Sequence, residues 1–408
     1  MRPQIVHPNP EGSPQRNEPD FSLVLGGPLY QLYLRSRLAR PPLQLLERRV
    51  VGISLICWLP LLLLSTFAGR LAAGVSVPFL RDPEVHIKLL LTLPILIAAE
   101  LLVHGRIRKV VSQFRERNII AAEDQPRFNT LVESAMRLRN SIKAEIGLFA
   151  LVLAVGYWMW SGNLKLTVSS LNLSSWYAIN QAGKLHLTAA GTYYALVSLT
   201  IFRFILLRWY FRLFIWYRFL WQVSSMPLHF NLYHPDRSGG LGFLSESLVA
   251  LTPVFVAQST VLAAVIYARI LYAGDRLTDF KGEIGGSLLF FVLVMILPLG
   301  FFAAKLDRAG RKARIEFGAL GSRYVEDFRD KWILDKGRAG EALLGTSDIQ
   351  SLADLSNSYN VISTIGLLPV TKQALIRLVV AIAFPLLPLL MTMLPLSEII
   401  KRVFKMVL

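Results

Sequence analysis

Long apolar runs alternate with polar or basic connectors along most of this chain. A helix of about 20 apolar residues crosses a hydrocarbon layer of about 30 Å, and most of the runs approach that length. The pattern therefore predicts an all-α, polytopic membrane protein with six or seven transmembrane helices and additional cytoplasmic and interfacial helices. The predicted spans are Val50–Gly69, Ile87–Val103, Ile146–Trp160, a run starting near Thr188, Leu248–Tyr267, Gly286–Phe302 and Leu378–Leu396.

The fourth span has no evident end before Trp221. A helix from Thr188 to Trp221 would be about 50 Å long at 1.5 Å per residue, which is well beyond the thickness of a bilayer. Arginines and aromatic residues mix in its second half, a composition typical of an interfacial anchor. The alternative is that this half lines the vestibule of a pore. The arginines concerned are Arg203, Arg208, Arg212 and Arg218.

The polar segments divide the chain into predicted regions. Helical periodicity with many basic residues predicts helices from about Ile107 to Arg117, from Gln125 to Lys143 and from Leu306 to Leu334, and Ser347 is a predicted N-cap of a further helix. Tyr30 and Tyr33 of the interfacial segment are predicted at headgroup level. Pro385 and Pro388 interrupt the last apolar run, which is therefore either a seventh span, the interpretation we favour, or a re-entrant segment. The predicted regions are a disordered cytosolic tail (1–20), an interfacial segment (21–49), a six-span membrane domain (50–302) with a cytoplasmic helical connector (104–145) and a basic aromatic helix and loop (203–246), a cytoplasmic helical region (303–373), and the last apolar run with a C-terminal amphipathic helix (374–408).

The net charge of +17 changes the interpretation of the connectors. Lys and Arg gather in alternate connectors, and this bias predicts a cytoplasmic N-terminus. In a membrane protein the basic excess attracts anionic headgroups, at roughly 1 kcal/mol per basic residue near the surface. The predicted partners are therefore the lipid bilayer and its anionic headgroups, and not nucleic acid. A second copy of the chain and a cytoplasmic protein are further candidate partners.

The loop after the aromatic helix is the first candidate site. Its glycines permit tight turns, and the amide groups at the start of the next helix favour an anion. This combination predicts a site for a small anion or a lipid headgroup. The alternative is a structural corner, in which an aspartate closes an Asx-turn. The residues are His234, Asp236, Arg237, Ser238, Gly239 and Gly240, followed by Ser245 and Glu246.

The second candidate site lies within the second span. Glu100 and His104 are four residues apart and share a helix face with Arg108. An ionisable residue in a membrane span predicts a proton relay or an ion path, to which Arg203, Arg208 and Arg212 would contribute. The alternative is that Glu100 forms an ion pair with Arg108 or with an arginine of a neighbouring helix.

The motifs of several catalytic classes are missing from the sequence. It contains no phosphate-binding Gly-rich loop ending in Gly-Lys-Ser/Thr, no His-Glu-x-x-His and no Gly-x-Ser-x-Gly. Its one cysteine, Cys57, excludes an intrachain disulfide and a multi-cysteine metal site. We therefore predict no metal, no cofactor and no catalytic residue, and an enzyme is less favoured than a binding or transport protein.

Three stretches resemble an uncharacterised family of bacterial polytopic inner-membrane proteins. They are YHPDRSGGLGFL, DIQSLADLSNSY and the Pro-rich FPLLPLLMTMLPLSEIIKRV, about a tenth of the chain. The resemblance implies the cytoplasmic membrane of a bacterium and attaches no established activity.

Three functions remain open from the sequence. The leading prediction is a channel or transporter-like module for an ion or small anionic solute, in which a pore shared between copies of the chain is slightly preferred. The second is a scaffold or sensor whose cytoplasmic helices bind a partner. The third is a membrane-embedded enzyme that acts on lipid through His234 and Asp236.

Overall fold

A computed structural model describes residues 21–38, 40, 43–160, 174–181, 184–334 and 347–393. The predicted tail (1–20) and the predicted C-terminal amphipathic helix lie outside this part of the chain. Helices dominate it, as the sequence predicted. They are α1 (Pro28–Arg35), α2 (Leu46–Phe67), α3 (Pro83–His86), α4 (Leu93–Glu116), α5 (Gln125–Arg139), α6 (Ile142–Trp160), α7 (Ala189–Tyr193), α8 (Leu199–Ser224), α9 (Ser245–Ala273), α10 (Lys281–Ile296), α11 (Ala303–Trp332), α12 (Ser347–Ser363) and α13 (Lys372–Ala383).

Among the described residues, six helical runs are long and apolar enough to cross a membrane. A seventh is added if α5 and α6, which meet at an angle of 44°, are counted as one bent span. The protein is therefore membrane-embedded by helix length and composition. The six runs are Leu46–Phe67, Pro83–Glu116, Ala189–Ser224, Gly242–Ala273, Leu277–Trp332 and Lys372–Met393.

The contacts between the runs define two ends of the bundle. At one end, which we call the Arg49 end, α2 and α6 begin and Arg106 of α4 faces Glu246 at the start of α9. At the other, the Asp82 end, the hydroxyl of Tyr272 near the end of α9 donates to the carbonyl of Arg81. The spans therefore alternate in direction, as the sequence predicted.

Two helices, α4 and α9, form the centre of the bundle. Leu93 and Leu96 of α4 are fully buried, as are Ala250 and Ala257 of α9. Small residues let two helices approach closely, which favours packing by van der Waals contact within a membrane. The central helices therefore form a dry, close-packed layer between the two ends.

Two spans contain a π-helical turn near the Asp82 end. Residues Ile87–Thr92 join α3 to α4, and residues Tyr194–Ser198 join α7 to α8. The turns meet where Lys88 and Tyr194 lie close enough to interact electrostatically. A π turn widens a helix locally and rotates the side chains that follow it. The two turns thus bring a lysine and a tyrosine of different spans together.

The last apolar run follows α9 from one end of the bundle to the other. At its start, the Ser245 hydroxyl accepts from the Thr371 amide at 3.0 Å. Its 3₁₀-helical continuation, Phe384–Met393, packs Leu386 and Leu389 against Ile266 of α9 and Phe280. The chain does not turn back at Pro385 or Pro388, so these contacts favour the predicted seventh span over a re-entrant segment.

Three local differences from the sequence prediction concern boundaries. The predicted connector helix from residue 107 is continuous with the second span, because no breaking residue interrupts α4 before Glu116. The predicted helix from Gln125 to Lys143 divides at Asn140, and Lys143 belongs to α6. Residues Ala178–Gln181 and Lys184–Leu187 form an antiparallel hairpin in a segment that the sequence did not resolve.

Outside the bundle, α11 and α12 pack against each other as a helical pair. α11 has 30 residues and is about 45 Å long at 1.5 Å per residue. Asp348 at the start of α12 accepts from Lys331 at 2.8 Å and from the indole of Trp332 at 3.0 Å. These two donors hold the pKa of Asp348 below its ordinary value. The predicted helix beginning at Ser347 is confirmed.

Candidate functional site

Four arginines and two glutamates meet inside the protein at the Arg49 end. They come from five helices, and all but Arg139 are largely buried. We call this group the arginine cluster: Arg49 of α2, Glu100 of α4, Arg139 of α5, Glu145 of α6, and Arg208 and Arg212 of α8.

Helix α8 supplies two of these arginines on one face. Arg208 and Arg212 are four residues apart, a spacing that places side chains one above the other on a helix. They are 8% and 4% exposed. The predicted interfacial anchor is therefore wrong for these two residues, because both side chains point into the bundle toward carboxylates of other helices.

Glu100 lies between two arginines. One of its oxygens accepts from Nη2 of Arg212 at 2.8 Å, and the other lies 3.1 Å from Nη1 of Arg49. The guanidinium of Arg212 also stacks over the Trp209 ring, 4.6 Å from its centroid. The sequence alternative in which Glu100 forms an ion pair with an arginine of a neighbouring helix is thus confirmed, with Arg212 and Arg49 as its partners.

Glu145 joins α8 to the N-terminal segment. One carboxylate oxygen pairs with Nε of Arg208 at 2.9 Å, and the other accepts from the amide of Leu29 at 3.0 Å. Glu145 therefore fixes the start of α1 over the cluster.

Residues 21–35 cover the cluster from the outside. The Ser22 hydroxyl lies 2.9 Å from Nδ1 of His104, and Arg139 donates to the Ser22 carbonyl. Gly26 has a φ of +141°, and a Cβ there would collide with the side chains of Asn140 and Arg139. Tyr30 and Tyr33, predicted at headgroup level, are buried against the bundle, and burial raises the pKa of Tyr33 to about 12.

The cluster carries more positive than negative charge. Four guanidinium groups against two carboxylates leave a formal charge of +2 in a largely buried region. Arg139 and Arg212 lie close enough to repel each other. An uncompensated buried charge costs several kcal/mol, so this arrangement favours an anion as a further partner.

Arg49 is the least satisfied member of the cluster. It is 0% exposed, and none of its three guanidinium nitrogens has a hydrogen-bond partner among the described residues. Its 3.1 Å ion pair with Glu100 is made by proximity without hydrogen-bond geometry. The Tyr33 ring, 5.6 Å from its guanidinium carbon, provides a weak cation–π contact.

A small cavity opens beside these charges. Its volume is about 10 Å³, which is close to the smallest space that holds one water molecule. Three arginines face it with a serine hydroxyl and one carboxylate. The lining residues are Arg139, Ser141, Glu145, Leu148, Arg208, Phe211, Arg212 and Ile215.

The loop at 234–240, the first predicted site, is organised by Asp236. Its carboxylate accepts from the amides of Ser238 at 2.9 Å, Gly240 at 3.2 Å and Gly242 at 2.8 Å. A protein carboxylate thus occupies the amide donors that an anion would need. The geometry favours the structural corner.

The other residues of this candidate site also serve the corner or its surroundings. His234 lies 3.2 Å from Asp236, and Gly239 and Gly240 take positive φ values of 64° and 87°. Arg237 also has a positive φ, 52°, and its carbonyl accepts from the amide of Gly366. Ser245 binds the start of the last span.

Two predicted residues lie outside the arginine cluster. Glu246 is 3.8 Å from Arg106, and both side chains are largely exposed. Arg203 lies against Gly156 of α6 and does not line the cavity. The structure therefore brings together Glu100, Arg208 and Arg212, with His104 close by through Ser22.

A second polar group occupies the Asp82 end. Asp82 caps α3 by accepting from the amides of Glu84 and Val85, and it also accepts from the Trp176 indole at 2.9 Å. Lys88 pairs with Glu84 at 2.6 Å. Each charged group here has a partner, and the formal charge is −1.

The sequence analysis missed Arg49, Arg139 and Glu145 as site residues. Each lies near a helix terminus, and Arg49 and Arg139 lie beside the exposed Arg48 and Arg137, so the sequence offers no local signal for burial. Only the four-residue spacing of Arg208 and Arg212 indicated a shared face.

Comparison of the chain with protein-family models, curated proteins and solved structures gives no match.

Proposed function

We propose that this protein binds and transports a small inorganic anion, with the arginine cluster as the anion site. The observation that carries the proposal is the formal charge of +2 of the largely buried arginine cluster beside a cavity with three arginines in its wall. Buried charges are normally paired, and a bound anion would supply the missing negative charge. The proposal moves the predicted site from the 234–246 corner to the cluster.

The size of the cavity narrows the class of anion. About 10 Å³ is close to the smallest space that holds one water molecule, so a monatomic ion requires small side-chain movements and phosphate requires much larger ones. We therefore propose a halide-sized monovalent anion. Following the Lys/Arg bias, we place the Arg49 end in the cytoplasm of a bacterial cell, at the inner membrane.

Transport requires a route through the dry layer between the two ends. Leu89, Leu93 and Leu96 are fully buried there, with Cys57 and Leu61 of α2. Such a constriction excludes ions until helices move or unless the pore lies between copies of the chain. We keep the homo-oligomeric pore as a proposal, to be tested by light scattering of the purified protein.

The first test compares Arg139→Gln with Arg137→Gln. Both arginines lie on α5, but Arg137 is exposed and lies outside the cavity wall. Chloride is titrated against purified protein at constant ionic strength with gluconate, and thermal stability is recorded. We expect chloride to stabilise the parent and Arg137→Gln, and a loss of affinity of about tenfold in Arg139→Gln, since a charge-assisted bond contributes about 1.5–3 kcal/mol.

Flux in liposomes then separates binding from transport. Chloride, nitrate and phosphate gradients are applied to both orientations of the reconstituted protein. Flux that falls with anion size and is lower in Arg139→Gln supports the proposal. Binding without flux would reduce the site to a structural or regulatory one. The absence of both binding and flux would overturn the proposal.

A partner-binding scaffold is the second candidate. α11 and α12 extend beyond the length of a span and expose apolar side chains outside the bundle, including Ile315, Val325 and Ile349. Deleting residues 306–360 and comparing co-purifying proteins tests it. The lipid-enzyme alternative has less support, because Asp236 is engaged by three backbone amides.

A further inference from the structure

An apolar groove opens on the outside of the bundle between α4, α9 and α13. Its volume is about 330 Å³, and it follows α9 for about 10 Å, from Val249 to Val256 at 1.5 Å per residue. Apolar side chains make most of the wall, with Arg377 as its one charged member. The lining residues are Ile95, Val249, Thr252, Pro253, Val256, Arg377 and Ala381.

Arg377 has an unusual setting. It is the one charged residue of Lys372–Met393 after the first position, and Ile376 and Val380 beside it are 62% and 61% exposed on the outer face. No described residue forms an ion pair, a hydrogen bond or a ring contact with its guanidinium group. Arg377 is itself exposed, and since a charge in a span is rare without a partner, this setting favours an external anion.

The position of Arg377 matches the headgroup level. It lies five residues, about 7.5 Å, from the first residue of α13, and a long arginine side chain extends that far toward the polar layer. The start of α13 is fixed beside the start of α9 by the Thr371–Ser245 hydrogen bond. Arg377 can therefore reach a phosphate while the groove below it faces the acyl chains.

The charge at this end favours an anionic lipid. Lys372 and Arg377 of α13 and Arg106 of α4 are basic, and Glu246, 3.8 Å from Arg106, is acidic. The balance is three positive charges against one. Each basic residue near the surface adds roughly fivefold to the binding of an anionic lipid, the equivalent of roughly 1 kcal/mol.

We propose that this groove is a binding site for an anionic phospholipid of the leaflet at the Arg49 end. The phosphate binds Arg377, and an acyl chain occupies the groove between α9 and α13. The site is separate from the arginine cluster, and it holds whether or not the protein transports an anion.

Lipid retention measured by native mass spectrometry tests the proposal. The full-length protein in detergent is titrated with equal amounts of phosphatidylglycerol and phosphatidylethanolamine, which share a phosphate and acyl chains but differ in net charge. We expect the parent protein to retain phosphatidylglycerol in preference, and Arg377→Gln to reduce that preference about fivefold.

A second pair of variants tests the groove without changing charge. Ala381→Phe fills the groove and should reduce retention of phosphatidylglycerol, whereas Val380→Phe adds the same ring on the exposed face beside it and should not. Equal retention in Arg377→Gln, Ala381→Phe and the parent would overturn the proposal. Equal retention of the two lipids by the parent would overturn its anionic specificity.

Discussion

The buried charges at the two ends of the bundle differ in how completely they are paired. At the Asp82 end, two carboxylates and one ammonium group have short, specific partners that include backbone amides and an indole. At the Arg49 end, three guanidinium groups pair with two carboxylates, the fourth, that of Arg139, donates to the Ser22 carbonyl, and that of Arg49 has no hydrogen bond to a described residue. The first end resembles a satisfied structural network, and the second has an excess of charge that favours a ligand.

The difference also lies in where the partners come from. Asp82, Glu84 and Lys88 lie within seven residues, and the Asp82 carboxylate caps its own helix. The arginine cluster combines residues separated by more than 100 positions, such as Glu100 and Arg212. A local network forms with its helix, whereas a long-range cluster exists only in the assembled fold. We therefore expect the two ends to respond differently to substitution.

The largest effect is expected at Glu100. Glu100→Gln leaves Arg212 and Arg49 without a shared carboxylate, and removing one partner of a buried pair costs about 3–5 kcal/mol. Glu84→Gln at the other end should cost less, because Lys88 keeps the Tyr194 hydroxyl and the nearby Asp82. Reversible unfolding in mixed micelles measures both free energies.

A double variant distinguishes this predicted effect from simple misfolding. The double variant Glu100→Gln with Arg49→Met removes one positive charge together with the carboxylate, so it should recover part of the lost stability. Equal destabilisation by the two Glu→Gln variants, with no recovery in the double variant, would contradict the contrast between the ends.

A smaller effect is expected at Asp82. Asp82→Ala removes the helix cap and leaves the Trp176 indole without its acceptor, at a cost of about 1–2 kcal/mol. Asp82→Asn keeps a cap acceptor and should have less effect at neutral pH. Thermal unfolding of both variants measures the difference, and a loss as large in Asp82→Asn would show that charge matters there beyond the hydrogen bonds.

The pH dependence of the same residue has a defined sign. Burial raises the pKa of Asp82 above its ordinary value. The folded protein then binds a proton more readily than the unfolded chain, so this group adds stability as the pH falls through the folded pKa toward about 4. The parent minus Asp82→Asn difference in unfolding free energy should grow in that window, and a flat difference would contradict the assignment.

The sequence predicted the spans because their signal is local. Runs of apolar residues identified the helices, and the basic connectors predicted that the spans alternate in direction, which the contacts between them support. The helix break at Asn140 and the burial of Phe21, Tyr30 and Tyr33 were not predictable in this way, because both depend on packing against distant helices. Tyr33 shows the limit, since an aromatic residue beside arginines suits a membrane surface and a buried cluster equally well.

The candidate site was predictable only in part. Glu100 is an acid within an apolar run and therefore stands out, and Arg208 and Arg212 have helical spacing. Arg49 follows Arg48 at a span boundary, where positive charge is expected for topology alone. The sequence does not distinguish the exposed Arg48 from the buried Arg49. The 234–240 loop was predicted as a site because of its glycines, which the structural corner itself requires.

The smallest and most discriminating effect on stability is expected from substitution of Arg49, with Arg48 as its control. Arg49→Met replaces a buried guanidinium that makes no hydrogen bond to the described residues with an apolar chain of similar length. Without a binding anion, we expect a change within about 1 kcal/mol of zero, because exchanging a poorly satisfied buried charge for an apolar group is often neutral or stabilising. Arg48→Met, at the exposed neighbour, is the matched control.

Chloride should separate the two variants. An anion that binds only the folded protein adds about 2.7 kcal/mol of stability at a concentration 100 times its dissociation constant. Arg48→Met should keep this gain, and Arg49→Met should lose much of it because the cluster then carries one positive charge fewer. Thermal unfolding in chloride against gluconate, at one ionic strength, measures the gain. An equal gain of stability from chloride in both variants would place the anion outside the reach of Arg49. A large loss of stability of Arg49→Met in gluconate would show that Arg49 is a structural partner of Glu100 and not an unpaired charge that awaits an anion.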